Sequence, residues 1–168
     1  MKPVNMARLQ KVIEALRNEL QQYGEIIALL DRQQELVLLC ATEALNLSIA
    51  AIHAQGARIR KARVNRQSSQ ARLARDLGQP ENSTFGHLIP LLPAPYRPLV
   101  TALVQENNEL LIRVRQRAQQ NQLLLRRSLD VMQHFINSLA VQEPTAPPAP
   151  DQALAPLEPA SQLYEEIA

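Results

Sequence analysis

The residues of this chain that could do chemistry are few, and they are scattered. The three histidines, His53, His87 and His134, lie far apart, and none has Cys, Asp or Glu at the spacing of a metal site. No serine or cysteine has a base placed to activate it, and four glycines in all leave little for a phosphate-binding loop. We therefore expect no enzymatic activity, no metal and no cofactor.

One histidine lies in a context that needs a separate interpretation. The segment IHAQG at residues 52–56 is distantly similar to the histidine motif of phosphotransfer domains. Those domains place a Leu-Lys pair between the histidine and the glycine, where this chain has Ala54 and Gln55. A lone histidine on a helix is usually structural or solvated, so phosphotransfer at His53 remains a distant alternative.

Basic residues form the other group with possible chemistry. A run without any acidic residue contains Arg58, Arg60, Lys61, Arg63, Arg66, Arg72 and Arg75. Such a strip could bind nucleic-acid phosphates. Because the formal net charge is only +2 and no aromatic residue is interleaved with the arginines, we expect no nucleic acid there. A solvated helix face, or a contact for an acidic protein partner or the acidic tail, is the favoured interpretation.

The composition predicts that helices position these residues. Aromatic residues make up 3% of the 168 positions and there is no Trp, while Leu, Ala, Gln, Arg and Glu are abundant. These proportions favour helix over sheet, so we predict an all-α fold. No apolar run reaches the ~20 residues of a membrane span. The first residues are too rich in charge for a signal peptide, so we expect a cytoplasmic protein without membrane insertion.

A first long helix is predicted over about residues 6–77. Asn5 is a plausible N-cap, and Gly78, with a proline two positions later, marks the end of the helix. No turn residues accompany Gly24 or Gly56. We expect the helix to pass through both glycines, with Gly56 as the expected point of any kink.

This first helix carries the most regular apolar seam of the chain. Its members lie three or four residues apart: Leu9, Ile13, Leu16, Leu20, Tyr23, Ile27 and Leu30. Further along, Cys40 in the run LVLLC is expected to be a small side chain that is at least half-buried on the same helix.

A second helix is predicted over about residues 96–140, after a proline-rich connector at 78–95 with a short helical turn near 85–89. Its apolar stripe comprises Leu110, Val114, Ala118, Leu125, Leu129, Met132, Ile136 and Leu139. We predict that residues 1–140 form a long antiparallel helical hairpin or coiled coil. Asn107 and Asn121, at or beside seam positions, are expected to set its register.

The two predicted helices differ in length. At 1.5 Å per residue the first would be about 105 Å long and the second about 65 Å. A hairpin folded at Gly78 would leave the Leu9 to Leu30 seam without an intramolecular partner. We therefore predict this seam as the surface that binds another protein.

Residues 141–168 have a different character, with many prolines and no basic residue. We predict a disordered, Pro-rich tail. Its last part, residues 161–168, differs from the rest because Leu163, Tyr164 and Ile167 are spaced to share one face of a helical turn. This spacing suits a short motif that folds on a partner.

The order of these parts resembles the FlgN-type flagellar export chaperones. The likeness covers about residues 6–139, through LLDRQQEL at 29–36, the connector, and QENNELLIRVRQRAQQNQLLL at 105–125. Its most specific piece is the signature Glu106, Asn107, Asn108, Glu109, Leu110 and Leu111. The resemblance implies a cytoplasmic chaperone for type III flagellar export. Such a chaperone binds the C-terminal helices of hook-filament junction proteins, prevents premature assembly and delivers them to the export gate.

On this interpretation the Leu9 to Leu30 seam binds the export substrate, and Leu163, Tyr164 and Ile167 dock on a component of the export gate. Two other classes remain open. A generic coiled-coil scaffold or adaptor would pair the seam with its own copy in a homodimer. A helical nucleic-acid-binding protein would use the basic strip, with binding that falls steeply as salt rises.

Overall fold

The computed structural model describes residues 4–140, which form an all-α bundle of three long helices. Helix α1 spans Met6–Leu38, α2 spans Thr42–Asp76, and α4 spans Arg97–Ala140. The connector between α2 and α4 holds the short helix α3, Phe85–Leu88, and two 3-10 turns, Ile89–Leu91 and Ala94–Tyr96. The predicted all-α class, short connector helix and long final helix are confirmed. The predicted Pro-rich tail at 141–168 lies outside the described residues.

The prediction of one helix over residues 6–77 is wrong, because the chain reverses at residues 39–41. Cys40 has a positive φ of 52°. Its N–H donates to the carbonyl of Val37, and the N–H of Ala41 donates to the carbonyl of Leu36. These two bonds are those of a Schellman motif, in which a left-handed residue ends the helix and its last carbonyls are satisfied. Cys40 is exposed at this turn, so its predicted burial is also wrong.

The other helix ends lie where the sequence places them. Asn5 caps α1, with its Oδ1 accepting from the N–H groups of Ala7 and Arg8. Gly78, with φ of 70°, ends α2 through the same pair of bonds that Cys40 makes at the end of α1. Helix α2 passes through Gly56 without a break.

Helix α1 lies between the other two long helices. Arg8 pairs with Asp76, and Gln55 donates to the carbonyl of Gln22 at 3.1 Å, so α2 runs antiparallel to α1. Two apolar clusters with residues from all three helices form the core. One surrounds Leu9, Ile13 and Leu16, and the other surrounds Tyr23 and Leu30.

The prediction that the α1 seam lacks an intramolecular partner is therefore wrong. Within the seam, Leu9, Ile13, Leu16, Tyr23 and Leu30 are buried, and Leu20 and Ile27 are partly buried. The physical reason is the reversal at residues 39–41. It returns α2 along α1, so that α2 and α4 together cover the seam from end to end. Most of the seam is therefore already occupied within the chain and is not available to bind another protein.

Two buried asparagines hold α4 to α1. Asn107 Nδ2 donates to the carbonyl of Leu16 at 3.1 Å, and Asn121 Nδ2 donates to the carbonyl of Leu30 at 2.7 Å. Partners in both pairs are 91 residues apart, so α4 runs parallel to α1 in one constant register. The Oδ1 atoms of both asparagines are buried without a partner among the described residues. A buried polar atom without a hydrogen-bond partner lowers the stability of the fold. This cost is typical of buried asparagines that select one register.

Candidate functional site

The end of α4 extends past the rest of the bundle. Because α1 and α4 are offset by 91 residues, Leu38 at the end of α1 is level with residue 129 of α4. At 1.5 Å per residue, residues 129–140 project roughly 18 Å beyond α1. All residues from 129 to 139 are exposed. The sequence predicted that one long helix would outreach its partner, but the helix that does so is α4.

This projecting end carries a continuous apolar face. Leu129, Met132, Ile136 and Leu139 follow one another at steps of three and four, with 46–60% of each residue exposed. Phe135 lies beside them and is also exposed. We call these five residues the end face. They continue the α4 stripe whose upstream members, Val114 and Ala118, are buried against α1. The expectation that the whole stripe packs within the chain is wrong for this part.

Other apolar side chains are exposed at the same end of the bundle. Leu38 and Leu39 lie at the α1–α2 turn, and Leu47 lies in the second turn of α2; each is at least 70% exposed. Scattered apolar residues on a protein surface need no explanation, but a group of this size marks an interaction site. The end face and the turn together are therefore the strongest candidate for a binding surface among residues 4–140.

The charges near the end face are mainly basic. Arg126 and Arg127 lie one turn before Leu129 on α4, and both are exposed. Neither has a hydrogen bond or ion pair with any of the described residues. Asp130, also exposed, is the acidic residue of this stretch. A partner that combines an apolar face with carboxylates would match this surface.

A polar layer separates the two apolar clusters of the core. Glu19 is 3% exposed and accepts from Arg66 Nε at 2.5 Å and from the Tyr23 hydroxyl at 2.9 Å. Burial, reinforced by the neighbouring Glu19 carboxylate, raises the pKa of the Tyr23 phenol. The layer borders a cleft of about 180 Å³ that Asn107 also lines. Because each charge in the layer is paired across α1 and α2, its role is to hold these helices together.

Part of the signature segment packs α4 against α1. Asn107 bonds to α1, and Leu110 and Leu111 pack against the cluster around Tyr23. The remaining members, Glu106, Asn108 and Glu109, are exposed. The motif thus contributes to the fold through one half of its residues.

The basic strip is divided by its own contacts. Arg66 forms an ion pair with Glu19, and Arg75 forms one with Glu81 at 3.0 Å. Arg58 donates to Gln55 Oε1 at 3.1 Å. A surface in which these cations already have partners is a weaker match for a nucleic-acid backbone than the sequence alone indicates.

The structure also gives the positions of the other residues that the sequence singled out. His53, His87 and His134 are all exposed. Within residues 4–140, no group of three or more His, Cys, Asp or Glu side chains could hold a metal ion. None of the helices between residues 4 and 140 has an apolar stretch that could span a membrane. The proposed gate-docking residues Leu163, Tyr164 and Ile167 lie outside the described residues.

The sequence predicts that Leu129, Met132, Ile136 and Leu139 belong to a packed stripe, whereas the structure leaves them exposed. The missing information was the turn at Cys40, which shortens α1.

In the comparison with known proteins, a family model described as FlgN protein matches residues 1–145. No curated protein and no solved structure matches the chain.

Proposed function

Because the chain belongs to the FlgN family of flagellar export chaperones, we propose that the end face of α4 is its substrate-binding surface. The substrates we infer are the hook-filament junction proteins, and the bound part is their C-terminal helices. Binding would take place in the cytoplasm, prevent premature assembly and allow delivery to the type III export gate.

The exposed apolar end of α4 is the observation that supports this proposal. A secretion substrate whose terminal helices pair only after export exposes amphipathic faces beforehand. A helix with an unpaired apolar face at steps of three and four can cover such a face, helix against helix. Covering one side chain of the size of Leu or Ile contributes about 1 kcal/mol or more. Masking of this kind requires no catalytic group.

The proposal is tested by placing a charge on the end face. Ile136→Asp should weaken binding of a junction-protein C-terminal helical peptide by about tenfold or more, because a carboxylate would be buried against the substrate. Isothermal titration calorimetry measures this directly. Ile112→Asp is the matched control, since Ile112 lies on the same helix and is 54% exposed, against 58% for Ile136. Equal binding by the two variants would contradict the proposal.

A scaffold that pairs with its own copy is the competing interpretation, because the same end face could bind a second chain. Light scattering with and without the peptide separates the two. A chaperone forms a stoichiometric complex with the junction-protein segment. A scaffold forms a homodimer that Ile136→Asp dissociates and the peptide leaves intact.

Docking on the export gate is a second part of the proposal. It rests on the spacing of Leu163, Tyr164 and Ile167 in the sequence. Deletion of residues 161–168 is expected to weaken binding to the gate component without loss of substrate binding. If substrate binding were lost and gate binding kept, the roles assigned to the end face and to residues 161–168 would have to be exchanged.

A further inference from the structure

The tail sequence complements the end face in both apolarity and charge. Residues 141–168 contain no Lys or Arg, and their acidic members are Glu143, Asp151, Glu158, Glu165 and Glu166. Two of these carboxylates stand inside the segment that also carries Leu163, Tyr164 and Ile167. The last turns of α4 offer the reverse pattern, with an apolar face that follows Arg126 and Arg127 along the helix.

We propose that residues 161–168 dock on the end face of their own chain and compete there with the export substrate. This inference rests on the proposed function, because it assigns a regulator to the same surface. On docking, the apolar side of the segment covers Leu129, Met132 and Ile136. Glu165 and Glu166 then face Arg126 and Arg127, which have no partner among the described residues.

The connection is long enough for this contact. Twenty residues, 141–160, separate the end of α4 from the segment. At up to about 3.3 Å per residue they reach roughly 65 Å, several times the length of the end face. A tether of this length keeps the segment at an effective concentration on the order of a millimolar, so a weak contact is enough to occupy the surface.

The end face is a better match for the segment than the basic strip of α2. In that strip Arg66 and Arg75 are already paired with carboxylates. It also lacks a row of exposed apolar side chains, with Val64 as its large exposed one. A segment with three apolar residues on one side requires an apolar surface, and the end face supplies one.

The competition connects substrate loading to gate docking. While the end face is empty, the segment covers it and is withheld from other partners. A substrate helix that occupies the end face displaces the segment and frees Leu163, Tyr164 and Ile167. Only the loaded chaperone would then present its motif to the gate.

Calorimetry with the junction-protein peptide tests the competition. The chain lacking residues 161–168 should bind about three- to tenfold more tightly than the full chain, because the competitor has been removed. The double variant Leu163→Asp with Ile167→Asp, in the full chain, should give the same gain. Equal affinity of the full and shortened chains would overturn the inference. No binding by either chain would instead refute the proposed function.

A second measurement does not depend on the substrate. Cys40 is the single cysteine and is exposed, and it lies at the end of the bundle from which the end face projects. A nitroxide on Cys40 should broaden the NMR signals of residues 161–168 in the full chain. Ile136→Asp should restore these signals, whereas Ile112→Asp should not. Sharp signals for residues 161–168 in the labelled, unsubstituted chain would show that the segment does not dock, whatever the calorimetry gives.

Discussion

Cys40 occupies a backbone position that glycine would fill at lower cost. Its φ of 52° lies in the left-handed region, which costs a non-glycine residue about 1–2 kcal/mol. Gly78 makes the same pair of hydrogen bonds at the end of α2 without that cost. One turn was therefore visible as a glycine in the sequence and the other was hidden by a cysteine.

Cys40→Gly should raise the free energy of unfolding by about 0.5–1 kcal/mol, the strain relieved less the extra chain entropy of glycine. Urea denaturation measures the difference. If the helix were continuous through residue 40, Cys40→Gly should instead lower the free energy of unfolding, since glycine in a helix interior costs about 1 kcal/mol. Cys40→Ala, which keeps the strain, is the control for loss of the thiol.

At the scale of the elements, one buried ion pair contributes to the attachment of α2 to α1. The Glu19 side chain is 4% exposed, and its partner Arg66 is 19% exposed. The pair between Arg75 and Glu81 contains the same chemical groups, but its side chains are 59% and 61% exposed. Burial makes the first pair costly to break, whereas solvent screens the second.

Arg66→Ala should lower the free energy of unfolding by about 3 kcal/mol, because it leaves the Glu19 carboxylate buried without its cation. Arg75→Ala should change it by less than about 1 kcal/mol. Chemical denaturation of the two variants side by side provides the comparison. Similar losses of unfolding free energy in the two variants would show that water reaches Glu19. The polar layer would then contribute less to stability than its burial indicates.

At the scale of the whole molecule, stability and binding reside in different parts of α4. The segment up to about residue 121 packs against α1 through Val114, Ala118 and the two asparagines. Residues 129–139 are all exposed. The bundle should therefore fold without its projecting end.

A chain that stops after Ser128 should keep the free energy of unfolding of a chain that stops after Ala140, within about 0.5 kcal/mol, because little packed surface is removed. It should nevertheless lose binding of the junction-protein peptide, which the longer chain retains. Circular dichroism and calorimetry on the two chains measure both quantities. Retained binding after Ser128 would move the substrate site off the end face.

Local signals determined much of this protein. The all-α class, the Asn5 cap, the stop at Gly78, the connector helix and the extent of α4 all depend on residues that lie close together in the sequence. Each follows from a backbone preference or a helical period that a short stretch expresses by itself. The helical period of the apolar residues also placed Asn107 and Asn121 at or beside the interface between helices.

Only the tertiary structure decided which apolar stripe is covered. The turn at Cys40 costs about 1–2 kcal/mol in backbone strain, and no glycine at this position indicates a turn in the sequence. Folding α2 back along α1 buries Ile52, Ile59 and Leu73 against the seam, a gain of about 1.5–3 kcal/mol for each side chain. That long-range gain outweighs the local preference for a continuous helix. It covers the α1 seam and leaves the end of α4 exposed.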